Sequence, residues 1–430
     1  MSTQLDQIAE QILRDNDRGG YTVPTPGLYP YQWNWDSAFA ALGFAAFDMS
    51  RAWREIETLF DGQWPDGMVP HIIFRATQPG YFPGPDAWQT NKDPLSSGIT
   101  QPPVAASIVR ILYEQDQDKA RLEALYPKLL ASHRWFAEFR DPLNNGLVMT
   151  THPWETGRDN CPEWDAPARN VDISNVSPYQ RSDVSHVDSD MRPQNVDYDR
   201  YMAMLEFGRS AKWDHAEIAS NGPFRVLDVG MTMILIRANR DLAWLAEQLG
   251  RDEDADYLRE QIEKAESGAS YLWDDTARAF CSKDLKTDLS SSLCTNASFL
   301  AFYANVGTTE QRSALLKNFE RVASAATFTA PSTDPEHPEF DSKRYWRGPI
   351  WVVVNFMIAE GLREQGCEHQ AARVQHDTKK VIERSGFFES FDPVTGKGSG
   401  GSDFTWTAAI WLHWARFAHS STQFLEGQGA

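Results

Sequence analysis

Apolar residues recur at helical spacing over stretches near 3–16, 35–47, 50–60, 102–116, 118–140, 194–212, 229–249, 252–268, 295–306, 309–324, 350–364, 368–385 and 404–419, with no matching set of alternating strands. This pattern restricts the chain to an all-α fold. Members of several pairs, such as 229–249 with 252–268 and 295–306 with 309–324, are only a few residues apart, which makes them antiparallel neighbours. About a dozen helices in such pairs predict a closed double ring.

Long polar connections rich in aromatics, Pro and Gly separate the pairs, at 61–101, 141–193, 325–349 and 386–403. Structureless loops of that length inside a compact domain are uncommon unless they carry function, so the chemistry is expected on them, at one end of the ring. Within 171–200 six aspartates, at 172, 183, 188, 190, 197 and 199, mark either a lid or a solvated loop. No linker, low-complexity tract or repeat divides the 430 residues, so one domain over 1–430 is expected, with insertions about 61–101 and 141–193.

Composition narrows the function by exclusion. A net charge of -19 without clustered Lys and Arg disfavours nucleic acid as a partner. No apolar run approaches the roughly 20 residues of a membrane span. The first 20 residues lack the basic-then-apolar layout of a secretory signal, which predicts a cytoplasmic protein. Cys161, Cys281, Cys294 and Cys367 show no CxxC spacing, which argues against a zinc site and a disulfide scaffold. Sixteen tryptophans, many in polar Pro/Gly-rich segments, supply the flat rings that sugar sites use, although core packing accounts for about half of them by spacing.

Five motifs concentrate the chemistry. Tyr29-Pro-Tyr-Gln-Trp33-Asn-Trp-Asp36 runs into a helix; Asp36 can cap it or grip a pair of sugar hydroxyls beside Tyr29 and Trp33. In the second, around Trp64-Pro-Asp-Gly to His71, Tyr81 and Gln101, His71 reads as structural and Gln101 as either a cap or a site amide. The third, His152-Pro-Trp154-Glu155-Thr-Gly-Arg-Asp159, sets carboxylates beside an aromatic on irregular backbone, where burial and neighbouring negative charge can keep Asp159 protonated. The fourth, Lys343-Arg-Tyr345-Trp346-Arg-Gly-Pro-Ile-Trp351, offers a wall of rings, with Trp351 the expected stacking face. In the fifth, Phe387-Phe-Glu389-Ser-Phe-Asp-Pro precedes a glycine loop at 398–401 that lacks the spacing of a phosphate cradle. Two carboxylates far apart in sequence, each among aromatics, are the equipment for cutting a glycosidic bond: Asp159 as acid and Glu389 as base.

The motifs YPYQWNWDSAF, HPWETGRDN, RYWRGPIW and FFESFDPVTGKGSGGSDFTWT, in that order over nearly the whole chain, resemble glycoside hydrolase family 63, and most closely its bacterial branch acting on mannosylglycerate and glucosylglycerate. The resemblance implies an (α/α)6 toroid and inverting hydrolysis of an α-glycosidic bond without metal or organic cofactor. It places the general acid on Asp159 and the general base on Glu389. Sugar contacts fall on Tyr29, Trp33, Asp36, Tyr345, Trp346 and Trp351, and loop residues closing over the sugar on Tyr81 and Gln101. Trp154 and Glu155 join this set as neighbours of the acid. The glycine loop departs from the family pattern at Asp403 or Phe404, which bears on substrate choice.

An inverting pair leaves room for a water, so its carboxyls are expected about 6.5–9.5 Å apart. A glycerate carboxylate calls for a forked guanidinium, with Arg192, Arg200, Arg344 and Arg347 as candidates and Arg200 entered in the expected set. The expected partner is therefore a small α-glycoside. Three other readings stay open at this level: a hydrolase of a neutral disaccharide such as trehalose or kojibiose, a sugar epimerase or isomerase relying on histidines, and a carbohydrate-binding protein.

Overall fold

In the computed structural model, residues 3–418 are described. Position 419, the expected end of the last helix, and the outermost residues of the expected 1–430 domain lie outside them. Thirteen helices carry the architecture: α1 (Gln4–Asn16), α2 (Asn34–Ala45), α3 (Met49–Phe60), α4 (Ala105–Asp116), α5 (Lys119–Phe139), α6 (Asn195–Ser210), α7 (Val229–Gln248), α8 (Asp252–Gly268), α9 (Leu300–Tyr303), α10 (Thr309–Ala325), α11 (Val352–Glu364), α12 (Glu368–Ser385) and α13 (Thr405–His413). Helices α2, α4, α7, α9, α11 and α13 each pack on the next, and α13 returns to α2, which closes an inner ring. Outside it α1 packs on α13, α3 on α2, α5 on α4, α8 on α7 and α12 on α11, while α10 reaches the inner ring through Phe319 against Phe299, ring centroids 5.2 Å apart. This is the (α/α)6 toroid.

Patterning decides which ring a helix joins. Helix α2 is buried from Asn34 to Phe44 and α13 from Thr405 to Leu412, as expected for cylinders with protein on every side. Helix α1 buries only Asp6, Ala9, Ile12, Leu13 and Asn16, a single stripe at helical spacing, and α12 does the same through Ala371, Val374, Asp377, Thr378, Val381 and Ile382. A capping box between Thr3 and Asp6 starts α1, a device contributing about 1 kcal/mol.

The expected helix 295–306 is regular only over Leu300–Tyr303. Before it, Ser298, Phe299 and Leu300 bond three residues back, and the Ser298 hydroxyl accepts from the Thr295 N–H while donating to the Phe280 carbonyl. Side-chain competition for backbone groups winds this segment more tightly than an α-helix. The expected 102–116 begins at Ala105, after the Pro102-Pro103 pair. The expected 194–212 ends at Ser210, and a short separate helix, His215–Asn221, follows, capped by Asp214.

Strands among the described residues are two residues long and serve to tie loops down. Gln32–Trp33 pairs antiparallel with Ile72–Ile73, fixing the first motif to the second. Ser390–Phe391 pairs with Gly398–Ser399, folding the fifth motif into a hairpin. A four-stranded sheet joins Met149–Thr150, Val226–Leu227, Lys283–Asp284 and Leu289–Ser290 in that order, anchoring the loop ahead of Asp159. Among the described residues no helix is long and apolar enough to cross a membrane.

Candidate active site

A cavity of about 810 Å³, its mouth included, opens where the inner helices begin. Asp36 lies in the first turn of α2, Gln101 just ahead of α4, Tyr345 and Trp346 ahead of α11, and Phe404 and Trp406 at the start of α13. The long connections supply the remaining wall, including Tyr81, Trp154, Asp159, Asp183, Arg192 and Glu389. A site of this size, polar groups converging among rings, fits a small glycoside.

Glu389 sits 1% exposed just ahead of the hairpin strand Ser390–Phe391. Its Oε1 accepts from the Tyr29 hydroxyl at 2.9 Å and its Oε2 from the Gly401 N–H at 3.1 Å, while its own N–H donates to the Gly401 carbonyl at 2.8 Å. The glycines are needed for this approach: a Cβ on Gly400, whose φ is +76°, would lie 2.1 Å from Glu389 Oε2. Burial raises the Glu389 carboxyl above its ordinary range, opposed by Arg192, the Gly401 amide and the Tyr29 and Tyr345 hydroxyls.

Asp159 is reached by a different construction. Burial pushes its carboxyl up to about 7; Arg192 pulls against that and Glu389 adds to it. Its position is set through backbone. The Tyr201 hydroxyl on α6 donates to the Asp159 carbonyl at 2.8 Å, Asn160 Oδ1 accepts from the Trp346 N–H at 3.0 Å, and Trp164 Nε1 donates to the Arg158 carbonyl at 2.7 Å. Arg158 itself is buried, paired with Glu163 and, at 3.0 Å, with Asp228, the residue that caps α7. Gly157, at φ +67°, lets the loop pass Trp35, whose ring a Cβ would meet at 2.6 Å.

Tyr29 links the two halves. Its oxygen accepts from Arg192 Nη1 at 2.8 Å and lies 3.1 Å from the Tyr345 hydroxyl; with its one proton directed to Glu389, Tyr345 is the donor. Arg192 Nε donates to Asp183 Oδ2 at 3.1 Å. Asp183 is buried, but Arg181 and Arg192 together hold its carboxyl below the ordinary range. Asp36 has no such help: burial, then the charge of Glu389, puts its carboxyl well above the usual range. Gln101 Oε1 accepts from the Trp35 N–H at 3.3 Å.

Of the expected sugar contacts, Tyr29, Trp33, Asp36, Tyr81, Gln101, Trp154, Tyr345 and Trp346 line the cavity with Asp159 and Glu389, whereas Glu155, Arg200 and Trp351 do not. Glu155 is a buried strut, binding Arg140 Nη2 at 2.7 Å and the Thr151 N–H at 2.7 Å. Arg200 turns back along α6 to Asp197 at 3.1 Å, one helical turn away. Trp351 lies flat beneath Trp346, centroids 3.8 Å apart and planes within 3°, so Trp346 lines the cavity and Trp351 backs it. Among the arginines weighed for a carboxylate, Arg192 lines the cavity, while Arg347 is held by Asp165 and Glu339, and Arg344 lies within 3.6 Å of Asp341.

Several wall residues escaped sequence reasoning. His71, read as structural, lines the cavity with its Nδ1 3.1 Å from Ser97 Oγ and its ring stacked on Trp154; burial keeps it neutral. Trp35 and Trp406 carried a signal, lying within motifs already singled out, whereas Asp183 lies in the acidic loop and Tyr198 in the expected helix 194–212, where the local pattern does not mark a residue as facing the cavity.

A helical toroid whose cavity brings together Asp159 and Glu389, the one held through its backbone and the other by donors to its carboxyl, defines the class as a glycoside hydrolase. The family model described as "Mannosylglycerate hydrolase MGH1-like glycoside hydrolase domain" matches residues 29–407. The chain belongs to glycoside hydrolase family 63, whose members work by inversion. It is 47% identical to a mannosylglycerate hydrolase of Thermus thermophilus over 95% of this chain and 100% of that one. It is 33% identical to a glucosylglycerate hydrolase of Mycolicibacterium hassiacum over 96% and 98% respectively. The crystal structure of a mannosylglycerate hydrolase from another strain of Thermus thermophilus, with Tris and D-glycerate, superimposes with a TM-score of 0.92 at 47% identity, covering 96% of this chain and 100% of that one.

Proposed function

We propose that this chain, as one catalytic domain, hydrolyses mannosylglycerate, with glucosylglycerate the next candidate, using Asp159 as general acid and Glu389 as general base. The observation that carries this reading is the contrast between the two carboxyls in one cavity. Asp159 keeps a proton near neutral pH through burial and can give it to the glycosidic oxygen. Glu389 is surrounded by donors that favour its charged form, so it can take a proton from a water attacking the far face of the sugar. Its hydrogen bonds run to Tyr29 and Gly401.

Asp36 and Gln101 are placed to bind sugar hydroxyls, with Trp33, Trp154 and Trp346 as ring faces. Arg192, which lines the cavity, is the carboxylate partner in this reading; the D-glycerate in the crystal structure of the Thermus relative supports a glycerate aglycone. Mannose is ranked first because the relative at 47% identity bears that name and the glucosylglycerate relative stands at 33%. Action in the cytoplasm is part of the same proposal, supported by the four free thiols.

The test is a panel of α-linked substrates, mannosylglycerate, glucosylglycerate, trehalose and kojibiose, with the first-formed anomer followed by NMR. Turnover of a hexosylglycerate with release of the β-anomer is expected. Preference for a neutral disaccharide would overturn the substrate, and release of the α-anomer would overturn the roles of the two carboxyls.

A further inference from the structure

Among the described residues lining the cavity, Arg192 is the sole arginine or lysine. Within the protein it meets two carboxylates, Asp183 and, at the edge of ion-pair range, Glu389. The one carboxylate that binds its Nε, Asp183, is also held by Arg181 through two bonds, of 3.0 and 2.7 Å, so a single anion serves two guanidiniums. Arg192 Nη1 meanwhile lies 3.8 Å from Glu389 Oε1, and its guanidinium lies 4.2 Å from the centre of the Tyr345 ring. The whole side chain is buried. A positive charge in so dry a place acts on its neighbours with little screening.

The acid and the base both feel it. Asp159 is faced by Arg192, Glu389 and Asp183 and by the hydroxyls of Tyr198, Tyr201 and Tyr345. Glu389 is faced by Arg192, Tyr29, Tyr345 and Asp36 as well as Asp159. For each carboxyl, burial raises the affinity for a proton and Arg192 is the largest influence against it.

We propose that Arg192 makes the catalytic pair sense the charge of the leaving group: a carboxylate bound at its guanidinium offsets its field, so an anionic aglycone helps to keep the acid loaded with its proton, while Tyr29 and Gly401 go on donating to Glu389 and hold the base charged. This rests on the acid and base roles given above. Selection for a glycerate would then act on the chemical step as well as on binding, because a neutral aglycone leaves Arg192 drawing the proton off Asp159.

D-glycerate alone is the probe. Its binding to the wild-type protein near pH 7, followed by isothermal titration calorimetry in buffers of different ionisation enthalpy, is expected to take up a substantial fraction of a proton, and the Asp159→Asn variant is expected to lose most of that uptake. With substrates, the pH profile of kcat for α-mannosylglycerate is expected about one unit alkaline of that for α-mannosylglycerol. The kcat/KM profiles should coincide, since they report the free enzyme. Arg192→Gln should move the kcat/KM profile for α-mannosylglycerol to higher pH, and Arg192→Lys should keep it near its wild-type position. Glycerate that fails to bind, binds without proton uptake, or takes up as many protons in Asp159→Asn would overturn the coupling, as would superimposed kcat profiles. The acid assignment fails separately, if Asp159→Asn retains substantial turnover.

Discussion

The loop of the proposed acid and the loop of the proposed base hold the same functional group in opposite ways. Glu389 is held by its own carboxylate: Tyr29 and Gly401 donate to it directly, and two glycines admit the backbone that does so. Asp159 is held from outside: Tyr201 fixes its carbonyl, while buried ion pairs at Glu155 and Arg158 fix the loop just ahead of it. A base must stay charged in a dry cavity and so needs donors. An acid must stay neutral there, and donors aimed at its carboxylate would lower its affinity for the proton.

The comparison breaks outright if either group is dispensable. Asp159→Asn and Glu389→Gln are each expected to lower kcat by about 10²–10⁴-fold or more with the circular dichroism spectrum unchanged. Gly400→Ala tests the base loop through geometry alone. The added methyl collides with Glu389 in a left-handed backbone, and a loss of about 100-fold in kcat is expected, with a modest fall in melting temperature.

The acid loop has its counterpart in Glu155→Gln, which leaves Arg140 buried without a counter-charge. Destabilisation of about 3 kcal/mol is expected in denaturant unfolding, and a variant as stable as the wild type would show that the strut is idle. Tyr29→Phe removes a donor from Glu389, so the proton affinity of the base rises and the acidic limb of kcat/KM moves up by about one pH unit. The basic limb should stay near 7, where Asp159 loses its proton. The smallest effect is expected from salt. Recognition of the anion by one buried arginine, rather than by the field of a chain with net charge -19, predicts less than about a twofold change in kcat/KM between roughly 0.05 and 0.5 M NaCl.

The helices were legible because their apolar spacing is a local property: α3, α7, α8, α10 and α12 begin and end within about two residues of where periodicity places them. The misreading at 295–306 came from Ser298, whose hydroxyl accepts from the Thr295 N–H and donates to the Phe280 carbonyl. In the site, the motifs brought most of the wall together, but three side chains went elsewhere. Glu155 found Arg140, Arg200 found Asp197, and Trp351 slid under Trp346. Nothing in the local sequence distinguishes a carboxylate facing a cavity from one facing a buried arginine fifteen residues back.

The sequence by itself determined the ring of helices, the loops that carry the chemistry and the two carboxyls fit for it, because periodicity, turn residues and residue type are written locally. Only the tertiary structure decided how each carboxyl is held, which arginine enters the cavity and which tryptophan faces it. Those outcomes depend on burial and on partners brought from distant parts of the chain, such as Tyr29 against Glu389, 360 positions apart. Proton affinity and charge are properties of the assembled surroundings, and a residue acquires them only when the ring closes.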